Sequence, residues 1–119
     1  MSNDTEVAAL ERGIAQAKEA VESGQALVRL RANRDFRRLI TDGYFSAEAI
    51  RLVHLKADPA MQTEPRQKAI LSQIDAIGTL HAYFLNVMSQ AELGAIKIDA
   101  DTATLEEMAA EELGVEELG

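Results

Sequence analysis

The chain has 119 residues, the length of one ordinary domain, and its 47% of apolar residues argue against disorder of the whole chain. It contains no cysteine, which excludes disulfides, thiolate metal sites and cysteine nucleophiles. The net charge of −8 resides in residues 99–119, which hold eight of the 20 acidic residues and no Lys or Arg. Such an acidic segment opposes general binding to nucleic acid. No apolar run reaches the ~20 residues of a membrane span, and the polar N-terminus is unlike a secretory signal, so we expect a soluble intracellular protein.

The first predicted element is a helix over residues 5–32, with Asp4 or Thr5 as its N-cap. Apolar or small residues recur along it at spacings of three and four, which is the period of one helix face, and we call this stripe the seam: Val7, Leu10, Ile14, Ala17, Val21, Gly24 and Val28. A glycine inside a helix costs about 1 kcal/mol relative to alanine. Gly24 therefore either permits close approach of a neighbouring helix or marks a break near this point.

Two short helices should follow. Asn33 is the expected N-cap of the first, and Gly43 should end it in the left-handed conformation that favours glycine. Ser46 should cap the second. This helix should end at Asp58, because a residue that precedes a proline avoids the helical conformation.

A long helix is predicted over residues 64–97, with Pro65 in its first turn, where a missing N–H does no harm. Its seam has the same spacing and consists of Ile70, Ile74, Ile77, His81, Phe84 and Met88. The polar member, His81, is expected to be half-buried and hydrogen-bonded to a neighbour. The alternative is a pH-sensitive or metal-binding position on the seam.

Residues 99–119 are predicted to form an acidic tail separate from a single helical domain over residues 1–98. A capping box from Thr104 to Glu107 should open a short helix there. Together the elements predict an all-α fold: a helical bundle or a long helical hairpin with coiled-coil-like packing, two short helices and the acidic tail. Because the seams must be buried against something, we expect a homo-oligomer or a protein partner.

No pattern of catalytic residues is present. The two histidines have no paired metal-ligand spacing, the glycines form no phosphate-binding loop, and no serine lies in a nucleophile elbow. We therefore expect no enzyme, no cofactor and no metal site.

The most distinctive pattern is an arginine cluster, five arginines within the ten positions 29–38: Arg29, Arg31, Arg34, Arg37 and Arg38. Phe36, Tyr44 and Phe45 lie within or just after it, and basic residues with interleaved aromatics suit a grip on single-stranded nucleic acid or a helix-turn-helix. Residues 1–98 carry no net charge and the tail is acidic, so we favour a contact with protein over one with nucleic acid. Guanidinium groups pair bidentately with carboxylates, which would come from a partner subunit or from the tail residues Glu106, Glu107, Glu111 and Glu112.

The block "DFRRLITDGYFSAEAIRLVHLKADPAMQ", followed by "QIDAIGTLHAYF", resembles small uncharacterised proteins of tailed bacteriophages. The likeness covers residues 30–95. These relatives are encoded near virion structural and assembly genes, so the resemblance implies an accessory to particle assembly. It implies a location in the bacterial host cytoplasm or in the virion.

The expected function is therefore non-enzymatic protein–protein interaction, with the chain itself or a phage structural component as the partner. Two alternatives stay open. One is a nucleic-acid-binding regulator that uses the arginine cluster, and the other is an inhibitor of a host protein that acts through its acidic tail.

Overall fold

The computed structural model describes residues 2–118, and the side chains of residues 3–114. Its regular elements are all helical: α1 (Ser2–Ala32), α2 (Arg34–Phe36), a π-helical segment (Arg37–Glu48), α3 (Ala49–Ala57), a 3-10 turn (Pro59–Met61) and α4 (Glu64–Leu118). The predicted all-α class is confirmed. The described residues form two compact units. Unit 1 joins the chain up to Gln25 with the chain from Val87 onward, and unit 2 comprises Ala26–Asn86.

Unit 1 is a pair of antiparallel helix segments that touch at small residues. Ala17 of α1 is buried, and a Cβ placed on Gly94 of α4 would lie 2.8 Å from its carbonyl oxygen. Gly24 is buried against Ala91, so the helix passes through this glycine without a break. Of the two roles predicted for Gly24, the structure shows close approach of a neighbouring helix.

The C-terminal part of α4 differs from the prediction. The helix does not end at residue 97 but continues to Leu118, and Thr104 is not a cap, because its hydroxyl donates to the carbonyl of Ala100 at 3.0 Å, inside the helix. The helix continues because the apolar spacing continues: Leu105 and Met108 are both half-buried. The predicted boundary at residue 98 coincides with neither boundary between the two units.

Unit 2 is built around three buried side chains, Leu52 of α3 and Ile70 and Ile77 of α4. Partly buried residues pack around them: Tyr44, Phe45, Ala49, Leu55, Met61 and Ile74. Burial of a full leucine or isoleucine side chain contributes about 1.5–3 kcal/mol. This cluster therefore provides the main apolar stabilisation of α3 against α4.

The segment before α3 is one continuous helical stretch and not two helices with a turn between them. Asn33 caps it as predicted, since its side-chain oxygen accepts from the amide of Phe36 at 3.0 Å. Gly43 does not end the helix, because no described residue has a positive φ. Gly43 and Ser46 both lie inside the π-helical segment, so Ser46 is not a cap.

The π-helical geometry explains the side chains that this segment buries. Its i→i+5 hydrogen bonds place more residues in each turn than an α-helix does. Ile40, Phe45 and Ala49, at spacings of five and four, are accordingly all half-buried. An α-helical turn at the same place would move Phe45 away from that face.

Side-chain amides hold the connection between α3 and α4. The α3 helix ends at Ala57, and Asp58 is extended with its carboxylate accepting from the amide of Ala60 at 2.8 Å. The Nε2 of Gln67, in the second turn of α4, donates to the carbonyls of Lys56 at 2.9 Å and Met61 at 2.8 Å. The predicted end of α3 before Pro59 is confirmed.

Candidate interaction surfaces

The arginine cluster is fully on the surface. Arg29, Arg31, Arg34, Arg37 and Arg38 are all exposed. Within the described part of the chain, none of them lies within 4.0 Å of a carboxylate oxygen; the ion pairs there are Arg51–Glu48 and Lys97–Asp101. The guanidinium groups therefore keep their full donor capacity for a partner.

Three of these arginines share one pocket. Arg34, Arg37 and Arg38 line a shallow depression of about 300 Å³ together with Ala32 and Asp42. A single carboxylate opposes three cations, so the depression carries a positive charge. Its chemistry suits an anion that presents more than one oxygen, because each guanidinium offers a planar fork of donors.

The aromatic residues that were predicted to bind a partner together with the arginines pack against other rings of unit 2. Phe36, Tyr44 and Phe45 are half-buried. The rings of Phe36 and Phe45 lie 6.0 Å and 5.9 Å from the ring of Phe84 on α4, and the ring of Tyr44 lies 5.9 Å from that of Phe45. Aromatic pairs in this range stabilise a core. Their half-buried rings leave less surface for stacking a base, and the partner-binding role of these three residues stays a prediction.

His81 is exposed, contrary to the expected half-buried position. Its ring lies 5.4 Å from that of Phe45 with the planes at 84°, which is an edge-to-face contact. No group of three or more His, Asp or Glu side chains within the described residues is arranged to hold a metal ion.

The other seam residues are at least half-buried, except Val28, which is 55% exposed. Ile70 and Ile77 are buried, and half-buried positions are taken by Val7, Leu10, Ile14, Val21, Ile74, Phe84 and Met88. The seam thus identifies the packed face of both long helices. Its exposed members are His81, the one polar residue of the seam, and Val28.

An apolar groove, which was not among the features predicted from the sequence, lies between α3 and α4 in unit 2. It has a volume of about 240 Å³ and is lined by Ala49, Val53, Ile74, Ile77 and Gly78. A Cβ placed on Gly78 would meet no atom within 4 Å, so the floor of the groove is open at this residue.

Exposed aliphatic side chains continue the apolar surface beside this groove. Val53 is 60% exposed, and Ile50, one turn before it on α3, is 56% exposed. Leu71 lies on the same face of α4 as Ile74 and Gly78, and it is 45% exposed. The signal in the sequence is a second apolar spacing on α4, through positions 71, 74, 78 and 85, beside the seam.

The tail carboxylates are exposed on the last turns of α4. Glu106, Glu107, Glu111 and Glu112 all face solvent, and residues 98–118 contain no Lys or Arg. Asp101 differs from them, because its Oδ2 lies 2.9 Å from Lys97 Nζ within unit 1. That pair occupies the space beside Gly13, where a Cβ would lie 2.9 Å from the Lys97 Cε.

One exposed ion pair perturbs the titration of its members. Arg51 donates to both carboxylate oxygens of Glu48, at 2.6 Å and 3.0 Å. The hydrogen bond from Arg51 holds the pKa of the Glu48 carboxyl below its ordinary value and is its largest influence, ahead of the opposing effect of burial. The same hydrogen bond raises the pKa of Arg51.

Comparison with protein-family models, with curated proteins and with solved structures gives no match. Within the described residues, no helix has a stretch that is long and apolar enough to cross a membrane.

Proposed function

We propose that this protein acts by non-enzymatic protein–protein interaction, as an accessory structural or assembly protein of a phage particle. The groove between α3 and α4 is the observation that carries the interaction role. The phage context comes from the resemblance of residues 30–95 to small proteins of tailed bacteriophages.

The groove suits a helix of the partner. Its lining is apolar, and Gly78 leaves room for another backbone to approach closely, as Gly24 does within unit 1. Single exposed aliphatic residues are ordinary on protein surfaces, whereas a contiguous apolar patch marks an interaction site. Ile50, Val53 and Leu71 extend the lining into such a patch.

The nucleic-acid alternative has one supporting observation, the unpaired arginines. The aromatic rings next to these arginines, those of Phe36, Tyr44 and Phe45, are half-buried in unit 2, which leaves less ring surface for the stacking that a single-strand grip needs. The acidic charge of the chain also opposes it. We therefore favour the protein contact.

The proposal is tested by site-specific photo-crosslinking during particle assembly. A crosslinking residue at Ile50, one turn from the groove residue Val53, should capture a virion structural protein, identified by mass spectrometry. The same residue at Tyr83 should not, because Tyr83 is similarly exposed but neither lines nor flanks the groove. Addition of Val53→Asp should abolish the capture at Ile50, since a charge in an apolar contact leaves an unpaired group desolvated. Equal capture from both positions, or no capture of any virion component, would contradict the proposal.

A further inference from the structure

We infer that the pocket of Arg34, Arg37 and Arg38 binds the acidic end of α4 from a second copy of this chain, so that copies associate head to tail. The inference goes beyond the proposed function and uses a different surface from the apolar groove. Each can therefore fail without the other.

The pocket suits an anion that presents several oxygens. Its three guanidinium groups have no carboxylate within 4.0 Å among the described residues, and only Asp42 offsets their charge. Arg34 and Arg38 are four residues apart in continuous helical backbone. Glu107 and Glu111 have the same separation on α4, which places their side chains on one face about 5–6 Å apart at Cβ.

The negative charges near the end of α4 are electrostatically unfavourable without a partner. Glu107 and Glu111 repel each other across one turn, and residues 98–118 supply no cation to relieve this repulsion. An external cluster of guanidinium groups removes this penalty.

A second copy is the occupant because the chain carries both complementary surfaces, in equal number and on different elements. Contact between two different surfaces of identical chains is heterologous, and it propagates into an open chain unless the rotation closes a ring. Copies with a net charge of −8 repel at long range. At about 0.15 M salt the screening length is about 8 Å, so this repulsion is damped while paired charges in contact still attract.

The test is sedimentation velocity of the full chain over a range of concentrations, at about 0.15 M and about 1 M salt. The unmodified protein should associate at the lower salt and dissociate at the higher. Two variants, Arg37→Glu with Arg38→Glu and Glu107→Arg with Glu111→Arg, should each weaken association about tenfold or more. Mixing these two variants should restore it, because each supplies the surface that complements the other.

A matched control makes the same change of charge elsewhere. Arg12→Glu with Lys18→Glu alters two exposed residues of α1 outside the pocket and should leave association unchanged. Circular dichroism shows whether each variant is folded. The inference is overturned if the unmodified protein stays monomeric at about 0.15 M salt, or if the mixture of charge-reversed variants does not associate.

A nucleic-acid ligand would give a different pattern. In that case a single-stranded oligonucleotide would bind the unmodified protein, would bind the Glu107→Arg, Glu111→Arg variant at least as tightly, and would not bind the Arg37→Glu, Arg38→Glu variant. That result, without salt-dependent self-association, would assign the pocket to nucleic acid and overturn the inference.

Discussion

Gly24 on α1 lies so close to Ala91 on α4 that a Cβ on the glycine would stand 2.4 Å from the Cβ of the alanine. Real Cβ atoms do not approach this closely, so any other residue at position 24 must push the two helix segments of unit 1 apart.

We therefore expect Gly24→Ala to lower the free energy of unfolding by about 1 kcal/mol, because the overlap outweighs the gain in helix propensity. Gly114→Ala is the matched control, since a Cβ at position 114 meets nothing within 4 Å. It should stabilise the protein by up to about 1 kcal/mol. Urea denaturation measures both, and equal stability of the two variants would refute the close contact.

The core of unit 2 offers a comparison between neighbours. Leu52 is 0% exposed and Val53 is 60% exposed. Leu52→Ala should cost about 2–5 kcal/mol, because it leaves a cavity against Ile70 and Ile77. Val53→Ala should change stability by less than about 0.5 kcal/mol. Thermal unfolding followed by circular dichroism distinguishes them, and a small effect at Leu52 would mean that α3 does not pack as described.

The connection between α3 and α4 should depend on one amide. Gln67→Ala removes two hydrogen bonds to the carbonyls of Lys56 and Met61, for an expected loss of about 1–2 kcal/mol. Hydrogen exchange should also accelerate at the amides of Ala60 and Met61. Gln73→Ala, on the exposed side of the same helix, should change neither quantity. Unchanged exchange in the Gln67 variant would show that the loop is held by other means.

The Arg51–Glu48 pair predicts a measurable pH dependence. The folded-state pKa of Glu48 is lowered, so the pair contributes stability above the ordinary carboxyl pKa and loses it as the pH falls through the folded value. Arg51→Gln should raise the pKa of Glu48 toward its ordinary value, as measured by NMR titration. An unchanged Glu48 titration would show that the pair does not persist in solution.

The sequence predicted the elements whose apolar spacing is regular. The seam located α1 and the start of α4, and Asn33 and Pro59 marked true helix boundaries, because capping and the restriction before proline are local effects. The prediction failed where a local signal competes with packing. Gly43 has the typical position of a helix-ending glycine, yet Phe45 and Ile40 are held on one face by a π-helical segment.

The change of charge after Ile98 misled the prediction of the end of α4. Lys97 neutralises Asp101 there, and Leu105 and Met108 extend the apolar spacing, so the helix continues. In the candidate site, the exposure of the arginines could be predicted, because charged side chains remain in water. The inward position of Phe45 could not be predicted, because its partners His81 and Phe84 lie on a helix far away in the sequence.

Contact through glycine and alanine also determines the register of the two helix segments in unit 1. At the contact of Gly24 with Ala91 no long side chain lies between the backbones, so nothing there can repack to absorb a slip along the axis. Moving α1 forward or back by one turn would bring Val28 or Ala20 opposite Ala91, and either would collide with it. The tail glutamates on α4 therefore keep one fixed axial position relative to the first turns of α1.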